Sequence, residues 1–270
     1  MLNKDLLMYG KVKKNGPSKF GVIGPGNLGE ALLRKLNTFG ETYFYHPRRD
    51  RNDELVRLGL GKSVTITQII ECDLIFITVK PNMAHTVCSM IKKEITVQVP
   101  IFISVMAGIP MSFLRKELGN ASIIRMMFDM SIGEIGISRQ LFAYSPPELK
   151  NRLIEMTRPM GRIAWLESED KIDAATALFG CGPAFVSKFY QAYQEIAKDM
   201  GFDKDFVLDL FDSTIFMLSR HSPETIISKI ACKDGATEKG LEHLKTLDSD
   251  LKLTIKVSYD KCREISNNFS

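Results

Sequence analysis

The sequence feature that most constrains the fold is a glycine-rich stretch near the start of the chain. Residues 24–29 read G-P-G-N-L-G, which is the spacing GxGxxG, between a short apolar run and a helical pattern that stops at Gly40. In a βαβ unit, these glycines permit a tight turn, a close approach of pyrophosphate to the backbone, and close packing of helix on strand. We therefore predict a dinucleotide-binding turn rather than a purely structural one, formed by Gly24, Pro25, Gly26, Asn27, Leu28 and Gly29.

The rest of the N-terminal half alternates between apolar, strand-like runs and amphipathic helical patterns. Strands are predicted near residues 20–24, 42–46, 73–79, 101–106, 122–127 and 136–144. The runs at 73–79 and 101–106 are apolar at successive positions, which is typical of strands buried on both faces. The pattern predicts an α/β Rossmann domain with a doubly wound, mostly parallel sheet covered by helices.

The pattern changes after Trp165, where strand-like runs stop. Apolar residues then recur at helical spacing, as at Phe185, Phe189 and Tyr193. We read these stripes as core or as a dimer interface. The predicted domains are an N-terminal extension without signal-peptide features at 1–18, the nucleotide-binding domain at 19–167, and an all-α dimerisation and substrate domain at 168–270.

Composition narrows the classes of function. Apolar residues make up 44% of the chain, which is typical of a globular protein, and 36 basic against 32 acidic residues leave a net charge of +4, which does not indicate nucleic acid as a partner. No apolar run reaches the length of a membrane span. No cysteine or histidine spacing indicates a disulfide framework or a metal site, so we predict a cytoplasmic protein without a metal.

The end of the second predicted strand bears on the choice of cofactor. An NAD-selective site usually places an acidic residue there for the ribose 2′-hydroxyl. This chain has His46 at that position, followed by Arg48 and Arg49. Guanidinium groups suit a 2′-phosphate, so we predict NADP(H) rather than NAD(H), with a solvated basic turn as the alternative.

Two further strand ends carry candidate cofactor-binding residues, because ligands of such sheets lie beyond the carboxyl ends of the strands. Lys80 is placed to meet a phosphate or ribose, although it is also an ordinary surface lysine in the alternative reading. Small residues after the run at 101–106 would let a nicotinamide ring lie against the backbone. The candidates at these ends are Val79, Lys80 and Pro81, and Met106, Ala107 and Gly108.

From Phe20 to about Leu247, the chain resembles the pyrroline-5-carboxylate reductases. The resemblance rests on ordered motifs, namely VIGPGNLG, ITVKP, SVMAGIP, TALFGCGPAF and DGAT followed by GL. It implies hydride transfer from NAD(P)H to the C=N carbon of a cyclic imino acid, most simply 1-pyrroline-5-carboxylate, giving L-proline. It also implies a homodimer of interlocked helical domains, and such dimers can assemble further.

The resemblance also implies a substrate site. In the family, a loop that opens a helix holds the substrate carboxylate, between the nicotinamide of one subunit and the helical domain of its partner. Residues 231–237 occupy the place of that loop, with Cys232, Gly235, Ala236 and Thr237 as candidate substrate-binding residues. The Thr237 hydroxyl is the candidate catalytic group, bonding the ring nitrogen or the carboxylate. A strong acid–base pair is not required, because an imine protonated by solvent accepts hydride.

The substrate face departs from the family pattern. Phe128-Asp129-Met130-Ser131 replaces a P-N-T-P group, and Lys233-Asp234 replaces Pro-Gly. Thr65 stands where the family often has an asparagine near the adenosine ribose. These departures leave open a second reading, in which the fold binds NADP(H) as a sensor or interaction protein without efficient turnover.

A third reading is a β-hydroxyacid dehydrogenase-like oxidoreductase, which shares the two-domain plan. Those enzymes use a lysine in a GxxxKxxN pattern, whereas here Lys188 follows Gly182 at a longer spacing and Gln191 replaces the asparagine. We therefore predict that Lys188 is a solvent-facing lysine. Asp173, just before the TALFGCGPAF motif, is predicted to cap a helix.

Overall fold

The computed structural model describes residues 19–95, 100–134, 139–157 and 160–269. The predicted extension at 1–18 and the first residues of the expected strand at 136–144 lie outside this part of the chain. The described residues form two compact units, one ending at Gly180 and completed by the chain from Ser258, and one spanning Cys181–Val257. The functional boundary at 167/168 stays a prediction.

The first unit is built on an eight-stranded sheet of order β3-β2-β1-β4-β5-β6-β7-β8. Neighbouring strands from β3 to β6 pair in parallel, β7 runs antiparallel to β6, and β8 is parallel to β7. The mostly parallel Rossmann architecture is therefore confirmed. The strands are β1 Lys19–Ile23, β2 Glu41–Tyr45, β3 Lys62–Ser63, β4 Leu74–Ile77, β5 Ile101–Ser104, β6 Ser122–Met127, β7 Arg139–Tyr144 and β8 Gly161–Trp165.

Alternate side chains of the central strands point to opposite sides of the sheet. Both faces are therefore apolar, and helices cover both. Phe76 belongs to the core beneath α1, whereas Ile75 and Ile77 belong to the core beneath α4 and α5. All four residues of β4 and of β5 are buried, as their continuous apolar runs predict. The helices are α1 Asn27–Leu36, α2 Arg49–Arg57, α3 Ile66–Ile69, α4 Ala84–Glu94, α5 Met111–Leu118, α6 Lys150–Thr157 and α7 Asp170–Ala175.

The register of the sheet sets the position of the candidate site. Ile23 at the end of β1 lies beside Tyr45 of β2 and Ile77 of β4, and Ile77 lies beside Ser104 of β5. Four parallel strands therefore end along one edge. The strand order reverses between β1 and β4, which is where sheets of this kind bind ligands.

The second unit is helical, as predicted from the loss of strand-like runs. A π-helical turn at Thr176–Gly180 precedes it. Asp203 caps α9 by accepting the N–H groups of Asp205 and Phe206, and Ser222 caps α10, which has Pro223 in its first turn. The helices are α8 Gly182–Asp199, α9 Lys204–Leu218, α10 Pro223–Ile230, α11 Ala236–His243 and α12 Leu247–Asn268.

The last turns of α12 belong to the first unit. Gly108 has φ 71°, and a Cβ atom there would lie 2.7 Å from the Cys262 carbonyl oxygen. The Phe269 ring lies 4.9 Å from the ring of Phe113 on α5 and stacks at 5.3 Å on His85 of α4. The C-terminal residues therefore complete the packing of the nucleotide-binding unit.

Three of the five cysteines, Cys72, Cys88 and Cys262, are buried. Burial raises the pKa of Cys72 and of Cys88 to about 12, so both stay protonated at neutral pH. All five cysteines are free thiols in the structure. Within the described ranges, no helix is long and apolar enough to cross a bilayer, and no group of acidic, histidine and cysteine side chains is arranged to hold a metal ion.

A buried ion cluster ties β6 to α7 and α12. Arg125 is 1% exposed and donates to Glu169 at 2.9 Å and to Asp173 at 3.1 Å. Arg263 of α12 lies 3.6 Å from the second oxygen of Asp173, and Glu169 also accepts the N–H of Met111 at 2.5 Å. The prediction that Asp173 caps a helix is wrong, because it lies inside α7 and is buried against two arginines.

We expect Asp173→Asn to lower the free energy of unfolding by about 3–5 kcal/mol, because the buried Arg125 charge loses the fully buried one of its two carboxylate partners. Arg125 Nε already lacks a hydrogen-bond partner among the described residues. Urea denaturation at fixed protein concentration measures the change. Asp170→Asn, at an exposed position of the same helix, is the matched control and should leave the denaturation midpoint nearly unchanged. Equal losses for the two variants would contradict the assignment.

Candidate functional site

The first glycine of the motif, Gly24, contacts the ends of strands β2 and β4. Gly24 has φ 77°, and a Cβ atom there would lie 2.1 Å from Cγ1 of Val79. Its N–H donates to the Tyr45 carbonyl at 2.9 Å, and its carbonyl accepts the Thr78 hydroxyl at 3.0 Å. The turn therefore has room only for glycine, and its backbone is fixed to both β2 and β4.

The other two glycines have different surroundings. A Cβ atom at Gly29 would lie 2.6 Å from the Thr78 hydroxyl, so this glycine lets α1 pack against β4. Gly26 instead faces open space, since a Cβ atom there would have no heavy atom within 4 Å. It is the N-cap of α1 and provides no side-chain cap, and the N–H groups of Asn27 and Leu28 have no partner among the described residues. An open glycine beside unpaired N–H groups fits a pyrophosphate.

His46 follows β2 and organises the turn before α2. Its N–H donates to the Asn52 side chain at 3.2 Å, and its carbonyl accepts from the same amide at 2.8 Å. The Arg48 N–H donates to Nδ1 of the imidazole at 3.1 Å. Burial lowers the pKa of His46, which keeps the ring neutral at pH 7 and able to accept this bond.

The two predicted phosphate-binding arginines are exposed. Arg48 Nε lies 3.9 Å from a carboxylate oxygen of Asp50, but both side chains are largely in solvent, so this pair is weak. Arg49 is the first residue of α2 and is also exposed. Both guanidinium groups are therefore available to an anionic ligand at the end of β2.

Arg51, which the sequence pattern does not single out, contacts the glycine turn directly. Its Nε donates to the Pro25 carbonyl at 3.2 Å, and its other nitrogens bind Glu30 of α1 at 2.6 Å and Glu54 of α2 at 2.7 Å. Only 11% of its side chain is exposed. Three arginines within four positions look alike in sequence, and only their contacts separate them.

The candidate residues after β4 and β5 lie along the same edge. Val79 is half-buried beneath Gly24, Lys80 is exposed, and Pro81 opens a short 3₁₀ turn. Met106 is buried and Ala107 half-buried, while the missing side chain of Gly108 makes room for α12.

Thr65 lies beyond β3, at the start of α3. Its hydroxyl accepts the Gln68 N–H at 3.3 Å, and the Gln68 side chain accepts the Thr65 N–H at 3.0 Å. This reciprocal pair is a capping box, so the Thr65 side chain is already engaged in starting a helix.

The candidate substrate loop belongs to the second unit. Asp234 has φ 59°, a conformation that favours glycine, and its N–H donates to the Glu238 carboxylate at 2.7 Å. The Gly235 N–H donates to the Cys232 carbonyl at 3.0 Å. Glu238, which the sequence pattern did not reveal, therefore takes one donor of the loop and adds a negative charge beside it.

The mouth of α11 still presents free backbone donors. Gly235 is the N-cap without a side-chain cap, and the N–H groups of Ala236 and Thr237 have no partner among the described residues. Both side chains are exposed, as are those of Cys232 and Lys233. The arrangement can bind a carboxylate through N–H groups, and the lysine offsets part of the local negative charge.

The segment that replaces the family's P-N-T-P group is a capped turn. Phe128 is 1% exposed and belongs to the core. The Asp129 carboxylate accepts the N–H of Ser131 at 2.8 Å and also its hydroxyl. A Cβ atom at Gly133 would lie 3.0 Å from Ala31 of α1, so this turn packs on the helix of the glycine motif. Asp129 is therefore committed to local structure.

Lys188 is exposed, and its ammonium donates to Gln191 at 3.2 Å. Gln191 in turn donates to Glu195 at 2.8 Å. These are neighbouring positions on the surface of α8, in agreement with the prediction of a solvent-facing lysine.

Single alanine replacements of Gly24 and Gly26 should have different effects, one mainly on stability and the other mainly on dinucleotide binding. Gly24→Ala should cost at least about 1 kcal/mol of unfolding free energy, because it adds both a clash and a strained φ. Gly26→Ala should leave that free energy within about 0.5 kcal/mol but weaken dinucleotide binding at least about tenfold, because its methyl group enters the open space. Urea denaturation and fluorescence titration give the two quantities. Equal behaviour of the two variants would contradict the assigned roles.

Family models match both parts of the chain. Residues 169–265 match the model for pyrroline-5-carboxylate reductase dimerisation, and residues 19–108 match the model for NADP oxidoreductase, coenzyme F420-dependent. The first match covers the helices of the second unit, and the second covers the glycine turn and the strand ends beside it.

Curated relatives and solved structures agree with these matches. Pyrroline-5-carboxylate reductase 2 of Bacillus subtilis (strain 168) is 28% identical over 244 residues, covering 84% of this chain and 87% of the relative. The Staphylococcus aureus (strain COL) pyrroline-5-carboxylate reductase is 26% identical, covering 92% and 98%.

Among solved structures, the Plasmodium falciparum pyrroline carboxylate reductase with NADP bound has a TM-score of 0.80 at 20% identity, covering 92% of this chain and 98% of that one. The reductase from Streptococcus pyogenes has a TM-score of 0.77 at 24% identity, covering 91% and 98%. At these identities the likeness concerns the fold. Together with the family models and the curated relatives, it shows that the chain is similar to pyrroline-5-carboxylate reductases and is an oxidoreductase with an N-terminal NADP-binding domain and a C-terminal helical domain.

Proposed function

We propose that the protein reduces 1-pyrroline-5-carboxylate to L-proline with NADPH, by hydride transfer to the C=N carbon. The observation that carries the proposal is the presence of two open helix mouths of different kinds. One is the glycine turn before α1, which fits a pyrophosphate, and the other is the loop before α11, which fits a carboxylate. Relatives named for this reaction, at 26–28% identity, support the choice of substrate.

The cofactor would be held by backbone and basic groups along one edge of the sheet. The first-turn N–H groups of α1 bind the pyrophosphate, and the open face of Gly26 lets it approach. Arg48 and Arg49 neutralise the 2′-phosphate, which favours NADP(H) over NAD(H). When bound, NADPH supplies the hydride.

The substrate would be oriented by the loop before α11. The N–H groups of Ala236 and Thr237 bind its carboxylate, and the Thr237 hydroxyl donates to the carboxylate or contacts the ring nitrogen. The protein needs no buried acid or base for this role, because solvent protonates the imine. Holding the ring in one orientation is the main contribution of these groups.

A homodimer formed by the helical parts is the second element of the proposal. Apolar side chains of 181–257 are largely exposed within one chain, for example Met200 at 71%, Ile215 at 64% and Val186 at 61%. A stable fold does not leave so much apolar surface in water, and burial against a second copy removes it. The match to the dimerisation model supports this partner.

A non-catalytic NADP(H)-binding protein is the competing function, and the loop before α11 gives it some support. Asp234 and Glu238 place two carboxylates next to the donors that the substrate carboxylate needs, and like charges repel. Asp129 likewise offers no free donor to a substrate.

NADPH oxidation in the presence of 1-pyrroline-5-carboxylate at neutral pH tests the proposal. We expect turnover within the usual enzymatic range, roughly 1–10³ s⁻¹, and none without the imine. NADPH binding without turnover on this or another cyclic imine would contradict the proposal and favour the non-catalytic protein. Oxidation of β-hydroxy acids with NADP⁺ that is lost in Lys188→Met would instead favour the dehydrogenase reading.

Arg48→Ala together with Arg49→Ala should raise the NADPH KM at least about tenfold while changing the NADH KM less than about twofold, because only NADPH carries the 2′-phosphate. Steady-state kinetics with both cofactors measure the effect. Arg57→Ala is the matched control, since Arg57 is exposed on α2 and donates only to the Asp53 carbonyl of its own helix at 3.3 Å. An unchanged NADPH KM in the double variant would refute these roles.

A further inference from the structure

We propose that Arg51 is a positioning residue for cofactor binding, which fixes the pyrophosphate-binding turn to the helix that carries the 2′-phosphate arginines. This inference rests on the proposed function and adds a residue that does not itself contact the cofactor. Its basis is a set of contacts that joins three parts of the site through one side chain.

The contacts connect elements that are distant in sequence. Arg51 is the third residue of α2, and it binds the Pro25 carbonyl of the glycine turn, Glu30 on α1 and Glu54 on its own helix. The bonds to Pro25 and Glu30 span 26 and 21 positions of the chain. With 11% of the side chain exposed, these charge-assisted bonds are shielded and stronger than those of surface pairs.

The bond to Pro25 controls the direction of a backbone donor. The Pro25 carbonyl and the Gly26 N–H belong to one planar peptide group, so fixing the oxygen fixes the N–H. That N–H lies in the turn and donates to the Gly24 carbonyl at 2.7 Å. Arg51 thereby holds the shape of the turn, and it keeps a carbonyl oxygen occupied that would otherwise repel a phosphate.

The bond to Glu30 removes a second source of repulsion. Glu30 lies in the first turn of α1, close to the helix mouth that an anionic ligand would use. Hydrogen bonds from Arg34, and then from Arg51, lower the pKa of this carboxyl and keep it ionised. The same two arginines neutralise its charge, so α1 keeps a mouth that favours anions.

These contacts distinguish Arg51 from its neighbours. The Arg51 guanidinium already donates hydrogen bonds to three acceptors, namely Pro25, Glu30 and Glu54. Arg48 and Arg49 are instead exposed and can bind a phosphate. Loss of Arg51 should therefore weaken binding of NADPH and NADH alike, because both share the pyrophosphate. Loss of the exposed arginines should affect NADPH selectively.

Fluorescence titration of Arg51→Met with NADPH and with NADH, without any imine, tests the inference. We expect the Kd values for NADPH and for NADH each to rise about tenfold. The fold-change for one cofactor should lie within about twofold of the fold-change for the other. Saturating cofactor should restore kcat in any reaction that the unsubstituted protein catalyses. Urea denaturation checks that the variant is folded.

Two milder variants guard against misfolding of Arg51→Met. Arg51→Lys keeps the positive charge but not the planar fork that reaches Pro25 and Glu30 together, and it should raise both Kd values less than Arg51→Met does, whereas Glu54→Gln breaks only the bond within α2 and should leave them unchanged. A selective loss of NADPH binding in Arg51→Met, or unchanged Kd values for both cofactors, would overturn the inference. Failure of the unsubstituted protein to bind either dinucleotide would instead be a failure of the proposed function.

Discussion

The nucleotide edge of this protein depends on one close approach, between the glycine turn after β1 and the end of β4. Val79 lies beneath Gly24 and Thr78 lies against Gly29, with no room for a side chain at either glycine. This contact fixes the start of α1 beside the strand ends, where the N–H groups of Asn27 and Leu28 have no partner among the described residues. The arginines after β2 and the residues after β5 are candidate cofactor-binding groups because they lie near this fixed turn.

The sequence predicted the parts that depend on local pattern. Continuous apolar runs predicted β4 and β5, and the glycine spacing predicted the turn, because a strand, a tight turn and a helix start are encoded within a few residues. Long-range contacts were not predictable in this way. Asp173 was misread as a cap because its partner Arg125 lies 48 positions away, and Arg51 resembled any other arginine of a basic turn.

The substrate face shows how a site can keep donors while its side chains change. The loop before α11 binds through backbone N–H groups, which every residue except proline provides. Its helix mouth therefore survives the replacements at Lys233 and Asp234, although the φ of Asp234 retains the demand for a glycine-like conformation. What changes is the local charge, since Glu238 now occupies a loop donor. The backbone geometry of this loop thus favours binding of a carboxylate, whereas its local negative charge opposes it.

The path of α12 has a consequence for how the protein is made. The nucleotide-binding unit ends at Gly180 but is completed by residues from Ser258 onward, which cover Gly108 and place Phe269 against both His85 and Phe113. Domains generally fold in order as they leave the ribosome. Here the packing of the N-terminal unit stays incomplete during synthesis. It is completed only after the helical part has been translated and the final turns of α12 have left the exit tunnel.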